Sequence, residues 1–140
     1  MRKADPSDDQ ESHSRCASAG GYLWPIESVV DRPEVALSRW RLYEISSAFS
    51  EAPTLHLVGW ASETTQGQVS SPVHHVDPVS RRCVTRSGRR YRLIGAPGHC
   101  DDAAFVWGAW KQLNGAKEVR DHTDVLSLLL EGATPGGHGA

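Results

Sequence analysis

The sequence has few cysteines, and none lies at a spacing typical of a metal or redox site. Its three cysteines, Cys16, Cys83 and Cys100, are far apart, and no C-x-x-C motif is present. An odd number at irregular spacing favours neither a disulfide framework nor a cysteine-rich zinc site. We therefore expect free thiols in a reducing compartment.

Long apolar runs are also missing from the chain. The longest one is far below the ~18 residues that cross a bilayer, and no apolar signal region follows a charged start. These absences predict a protein that does not partner with a membrane. We expect it in the cytoplasm.

Signatures of known enzyme classes are absent: the sequence contains no G-x-S-x-G, no glycine-rich phosphate loop and no H-E-x-x-H. Residues 74–77 (HHVD) and 99–102 (HCDD) are the two places where metal-binding side chains gather. Adjacent strand residues point to opposite faces, so His74 and His75 do not easily bind one ion. We predict no enzyme, no metal and no cofactor. The alternative is a metal- or Cys-dependent hydrolase with Cys100 as its candidate nucleophile.

Acidic residues are absent from one long segment. Residues 78–100 contain six arginines and no aspartate or glutamate, in a chain whose formal net charge is −2. A basic strip on a nearly neutral body can attract anions at short range. The low net charge does not indicate a general nucleic-acid-binding protein.

What the sequence does contain is the pattern of an α+β protein. Alternation of apolar and polar side chains predicts strands over residues 39–46, 54–61, 69–76, 82–86 and 89–94. An apolar stripe at helical spacing predicts a helix over residues 102–113, and a shorter helix follows at 124–131. The segment Asp31-Arg32-Pro33-Glu34 resembles a helix start, which predicts a short helix over residues 31–38.

These elements predict a curled antiparallel sheet of four to five strands, partly barrel-like, covered by a C-terminal amphipathic helix. We expect a disordered N-terminal tail over residues 1–20, a single domain over residues 21–131 and a flexible tail over residues 132–140. Pro72 cannot donate a backbone hydrogen bond, so its strand is expected on an edge or at a bulge.

The last hairpin gives the sharpest structural prediction. If Cys83 and Thr85 share the face of Tyr91 and Leu93, alternation gathers four guanidinium groups on the opposite face. The arginines concerned are Arg82, Arg86, Arg90 and Arg92. Arginine binds phosphates and carboxylates with two parallel hydrogen bonds, so we predict these four as partner-binding residues. The alternative is a solvated face whose charges discourage aggregation at an edge.

A family resemblance covers residues 54–95. The matching segments are Leu57-Val58-Gly59, Ser70-Ser71-Pro72-Val73, Asp77, Thr85-Arg86-Ser87-Gly88 and Tyr91-Arg92-Leu93-Gly95. In these segments the chain resembles small uncharacterised proteins of phages and integrated elements of proteobacteria. The loop at residues 63–67 departs from that pattern, because it lacks a longer segment containing Arg and Asp-Gly. The resemblance implies a mobile-element setting and no mechanism.

We therefore predict a small non-catalytic binding protein of a phage or mobile element. It would engage an anionic partner, either nucleic acid or an acidic host protein, through the arginine-rich hairpin. A counter-defence inhibitor, like anti-CRISPR or antirestriction proteins, is one concrete form of this prediction. Another alternative is a purely structural subunit that oligomerises through the edge strand near Pro72.

Overall fold

The computed structural model describes residues 28–47 and 50–133. The predicted tail over residues 1–20 lies outside the described residues, as does residue 134 onward, and the predicted domain boundaries stay predictions. The elements in chain order are β1 (Glu34–Ser47), β2 (Ser50–Ala61), β3 (Gln66–Val69), β4 (Val73–Asp77), β5 (Arg82–Thr85), β6 (Arg90–Ile94), α1 (Asp101–Leu113), β7 (Ala116–Asp121) and α2 (Thr123–Gly132).

The strands of the described chain form one mixed sheet of seven strands. Their order is β3-β2-β1-β6-β5-β4, and β7 also pairs with β1. Strand β1 is antiparallel to β2 and β7 and parallel to β6. The predicted α+β class is confirmed. The prediction of a curled, partly barrel-like sheet of four to five strands is wrong, because the sheet has seven strands and is open.

The prediction of a short helix over residues 31–38 is also wrong. A turn stands at its expected start, where the backbone N–H of Arg32 donates to the carbonyl oxygen of Ser28 at 2.8 Å. From Glu34 onward the chain is extended, with Val35 and Leu37 fully buried. Burial between two neighbouring strands therefore outweighs the local signals for a helix start, since β-structure depends on its context.

Strand β1 contains a bulge that changes which side chains face each core. Arg39 has a φ of 50°, and the register with β2 shifts between Ser38 and Arg41. Before the bulge Leu37 packs in the core beside α2, and after it Leu42 does. The extra residue thus reverses the alternation within one strand, as expected for a β-bulge.

The strands differ from the predicted ones in two further ways. The strand predicted over residues 69–76 is divided into β3 and β4, with Pro72 in the connection just before the outermost strand β4. Strand β7 was not predicted. Its sequence AKEVRD contains little apolar alternation, and nearly all of its side chains are exposed. Its position depends on pairing with β1, which local sequence does not reveal.

Apolar side chains pack on both faces of the sheet. One cluster includes Leu126 and Leu130 of α2 with these strand residues: Val35, Leu37, Trp40, Leu42, Leu57, Ala61, Cys83, Tyr91 and Leu93. The second cluster lies against α1 and contains Ile45, Val58, Trp60, Val69, Cys100, Ala103 and Trp107. The helix predicted over residues 102–113 therefore covers one face, and α2 covers the other.

Aromatic stacking and one buried hydrogen bond fix α1 on the sheet. The ring of Trp107 stacks on Tyr43 at 4.9 Å between centroids and on Trp110 at 5.4 Å. The backbone N–H of Gly67 in β3 donates to the buried carboxylate of Asp102 at 2.7 Å. Neither helix of the described chain has the length and apolar character needed to cross a membrane.

Candidate functional site

The outer face of the β5–β6 hairpin carries three of the four arginines that the sequence singled out. Cys83, Tyr91 and Leu93 point into the core beside α2 and are at most 2% exposed. Strand alternation therefore places three arginine side chains on the opposite face of the sheet. These side chains belong to Arg82, Arg90 and Arg92, which we call the arginine face.

A single carboxylate lies among the three guanidinium groups. Arg82 Nε lies 3.1 Å from Glu34 Oε1 and its Nη2 lies 3.3 Å from Oε2. The Nε atoms of Arg90 and Arg92 lie 3.5 Å and 3.6 Å from the same carboxylate. The parallel register of β1 and β6 places Glu34 directly beside Arg90. The four side chains are between 30% and 48% exposed.

This arrangement stabilises the ionised form of Glu34. Hydrogen bonds from Arg82 are the main cause that holds the pKa of Glu34 below its ordinary value, and Arg90 contributes further. Burial acts in the opposite direction, since it disfavours the charged form. The guanidinium pKa of Arg82 is raised by the same hydrogen bonds. Sequence reasoning missed Glu34 because it was assigned to a helix start.

The arginine face keeps an excess of positive charge after this pairing. Glu34 supplies one negative charge against three guanidinium groups. Asp77 stands opposite Arg82 in the β4–β5 register, but its carboxylate also accepts hydrogen bonds from Val79 N at 3.2 Å and Ser80 Oγ at 2.9 Å. Two acids thus face three arginines. The surface can attract a further anion, with donors left on each guanidinium group.

Arg86, the fourth predicted site residue, lies apart from this cluster. It follows the end of β5 in the turn of the hairpin, where its backbone N–H donates to the carbonyl oxygen of Pro72 at 2.7 Å. Its side chain is exposed, and within the described part of the chain it forms no ion pair. The structure therefore brings together Arg82, Arg90 and Arg92, but not Arg86.

The two remaining arginines of the segment hold the backbone in place. Arg81 donates from Nε to Leu93 O at 3.0 Å and from Nη2 to Gly95 O at 2.6 Å. Arg89 is 5% exposed and donates from Nε to Arg32 O at 2.9 Å. Because carbonyl oxygens already occupy these donors, Arg81 and Arg89 stabilise the fold rather than add to the arginine face.

An exposed apolar residue borders the arginine face. Ile94 follows Arg90 and Arg92 in the same alternation and is 37% exposed. Val84, opposite Arg90 in the register, is half-buried on the same face. A surface that combines arginine with apolar side chains has the composition typical of protein–protein interfaces.

The residues considered for catalysis or metal binding lie apart or are buried. Among residues 28–47 and 50–133, no group of three His, Cys, Asp or Glu side chains is placed to hold a metal ion. Cys100 is 4% exposed, and burial raises the pKa of the Cys83 thiol to about 12. His99 and Asp101 form an exposed pair with 2.9 Å between Nε2 and Oδ1. The thiols of Cys83 and Cys100 are therefore both shielded from solvent.

The buried ring of His56 has, in its neutral form, a hydrogen-bond partner at each nitrogen. Its Nδ1 lies 2.8 Å from the carbonyl oxygen of Ser70, which requires a proton on Nδ1, and its Nε2 lies 2.7 Å from Thr54 Oγ1. The ring also contacts Trp110, with 4.5 Å between centroids. Burial chiefly lowers the pKa of His56, and the charge of Arg86 lowers it further.

We expect His56 to make the protein less stable in mild acid. As the pH falls below 6.5, the ordinary pKa of histidine, the unfolded chain binds a proton before the folded protein does. The free energy of unfolding should therefore fall between pH 7 and pH 5. In His56→Gln this fall in the free energy of unfolding should be smaller, measured by denaturant unfolding at each pH. Equal pH dependence in both proteins would contradict the assignment.

Comparison with protein-family models, with curated proteins and with solved structures gives no match.

Proposed function

We propose that this chain is a small non-catalytic binding protein that engages an acidic partner through the arginine face. The observation that supports this most directly is the sharing of one carboxylate by Arg82, Arg90 and Arg92. Glu34 neutralises only part of their charge. A carboxylate of the partner can therefore bind beside Glu34 and form charge-assisted hydrogen bonds with the remaining N–H groups.

An acidic protein surface fits this face better than nucleic acid does. Nucleic-acid binding draws much of its affinity from contacts to many phosphates, whereas the arginine face offers three guanidinium groups on a chain of formal net charge −2. Stacking of unpaired bases requires exposed aromatic rings, and Tyr91 of this hairpin is 2% exposed. Ile94 and Val84 instead offer apolar contacts, which protein interfaces use together with arginine.

A mobile-element setting gives the proposal a concrete form. The resemblance of residues 54–95 to small phage and integrated-element proteins supports such a setting. In that setting the partner is an acidic host protein, and the binding protein acts as a counter-defence inhibitor that blocks it. This part of the proposal depends on the resemblance alone, whereas the acidic partner depends on the arginine face.

A panel of defined probes tests the proposal. Fluorescence anisotropy would compare labelled poly-glutamate, duplex DNA, single-stranded DNA and an uncharged peptide at low and at high salt. We expect the protein to bind poly-glutamate at low salt and to lose this binding as salt screens the charges. Tighter binding to either DNA would favour a nucleic-acid partner. No binding to any anionic probe would refute the proposed function.

Replacing Glu34 with glutamine should strengthen binding. The neutral amide no longer competes with the partner for the three guanidinium groups, so poly-glutamate should bind about fivefold more tightly. Because the pKa of Glu34 is lowered, its contribution to stability is present above the ordinary value of 4.5 and is lost as the pH falls through the lower folded value. Glu34→Gln should therefore be slightly less stable at neutral pH.

Glu63→Gln is the matched control for this change. Glu63 Oε1 also pairs with an arginine, at 3.6 Å from Arg32 Nη1, but among the described residues it forms no ion pair with the arginine face. This variant should leave binding unchanged. Weaker binding by Glu34→Gln would show that the carboxylate holds the arginines in position instead of competing with the partner.

A further inference from the structure

Strand β7 presents an edge that is open among the described residues and independent of the arginine face. It pairs with β1 along one side, and no strand of the described chain pairs with its other side. Five of its six residues are exposed, including Val119 at 41%. An unpaired edge of this kind is a template for another strand.

The hydrogen-bond pattern shows which backbone groups of β7 point outward. His122 N donates to Leu42 O at 2.8 Å, and Glu118 N donates to Ser46 Oγ at 3.3 Å, so even-numbered positions face β1. The register with β1 stays constant from Glu118 to Asp121. Backbone groups alternate in direction along a strand, so within this range Val119 and Asp121 direct theirs to the open edge.

We propose that a second copy of this chain pairs with β7 in antiparallel orientation, with the two-fold axis at Val119. In this register Val119 meets Val119 of the second copy, and each exchanges two backbone hydrogen bonds with the other. Glu118 stands opposite Arg120 of the second copy, and Lys117 stands opposite Asp121. Every charged residue of the strand then faces one of opposite sign.

The backbone pattern and the charges together select this register. In an antiparallel pair, the outward-pointing backbone groups of one copy lie opposite those of the other only under one condition. The two-fold axis must pass through a residue of the strand and not between two residues. An axis at Lys117, Glu118, Arg120 or Asp121 would place identical charges opposite each other, which is destabilising. An axis at Ala116 would leave most of the strand unpaired. Val119 is the position that satisfies both conditions.

Charges on an edge strand usually discourage pairing, but these charges are placed to favour it in one register. Within the described residues, Glu118 and Arg120 form no ion pair, so both are available across the axis. Asp121 pairs with Arg41 at 2.7 Å and can also receive Lys117 of the second copy. Two strands of six residues make a small interface, so we expect a dimer that depends on concentration.

Sedimentation equilibrium of the full chain, with two single charge reversals, tests this proposal. Glu118→Arg places arginine opposite arginine at two sites of the dimer, and Arg120→Glu places glutamate opposite glutamate. Each variant should raise the dimer dissociation constant by about tenfold. A mixture of the two variants restores both opposite-charge pairs, so it should form heterodimers with the affinity of the unmodified protein. Both positions are exposed, so neither change should prevent folding.

Glu63→Arg changes the net charge as Glu118→Arg does, at a distant loop, and should leave the dissociation constant unchanged. A protein that is monomeric at all concentrations would overturn the proposal. So would a dimer that tolerates both charge reversals, because it would then form elsewhere, for example through the edge of β4. Failure of the mixed variants to associate would overturn the register centred on Val119.

Discussion

Replacement of Gly67 by alanine is expected to lower the free energy of unfolding by about 3 kcal/mol, because the new methyl group would collide with the backbone of α1. An ideal Cβ at this position would lie 2.5 Å from the Cα of Ala103, 2.6 Å from its N and 2.8 Å from the carbonyl carbon of Asp102. These are backbone atoms of a helix, so the rotation of a side chain cannot relieve the collision. The whole first turn of α1 would have to move.

That movement would also break a buried hydrogen bond. The N–H of Gly67 donates to the carboxylate of Asp102, which is 5% exposed, and a buried carboxylate that loses its donor is costly. Denaturant unfolding followed by tryptophan fluorescence would measure the effect. Gly108→Ala, within α1, is the control, since a Cβ at Gly108 would have no atom within 4 Å. This change should leave the free energy of unfolding unchanged or raise it. A Gly67→Ala protein of unchanged stability would contradict the packing of α1 on β3.

Replacement of all three residues of the arginine face by serine is expected to weaken poly-glutamate binding about 100-fold at low salt, at about fivefold for each lost exposed contact. The three residues are Arg82, Arg90 and Arg92. The remaining binding should also lose its dependence on salt, because the charges that salt screens are gone. The unfolding curve should change little, since the three side chains are between 38% and 48% exposed.

Arg86→Ser is the decisive comparison for this prediction. The sequence grouped Arg86 with the other three, whereas the structure places it in the hairpin turn. We expect less than a threefold change in affinity for this variant, on the order of a weak surface charge contact. An equal loss from Arg86→Ser and from the single arginine face variants would restore the four-residue site that the sequence predicted.

The elements that the sequence predicted well are those whose pattern is local. The β5–β6 hairpin alternates regularly around a turn in which Gly88 has a φ of 94°, and α1 has a helical apolar stripe. Both features can be recognised from neighbouring residues alone. The second helix, predicted over residues 124–131, spans Thr123–Gly132 for the same reason.

The features that could not be predicted depend on contacts between distant residues. Glu34 lies beside Arg90 only because β1 and β6 run in parallel, and no local signal at Pro33-Glu34 indicates this pairing. The bulge at Arg39 hides the true length of β1, because it interrupts the alternation. Strand β7 has almost no apolar pattern of its own. The acid at the centre of the candidate site was therefore missed, although its arginines were not.

Strand β1 connects the two surfaces on which the proposals depend. It borders β6 and the arginine face near Glu34, and it borders β7 near Ile45, so the two surfaces lie roughly 35 Å apart along one strand. Antiparallel pairing through β7 would leave both arginine faces on the same side of the joined sheet. The dimer would then be bivalent. It would gain avidity only for a target that presents acidic sites far enough apart to occupy both faces at once.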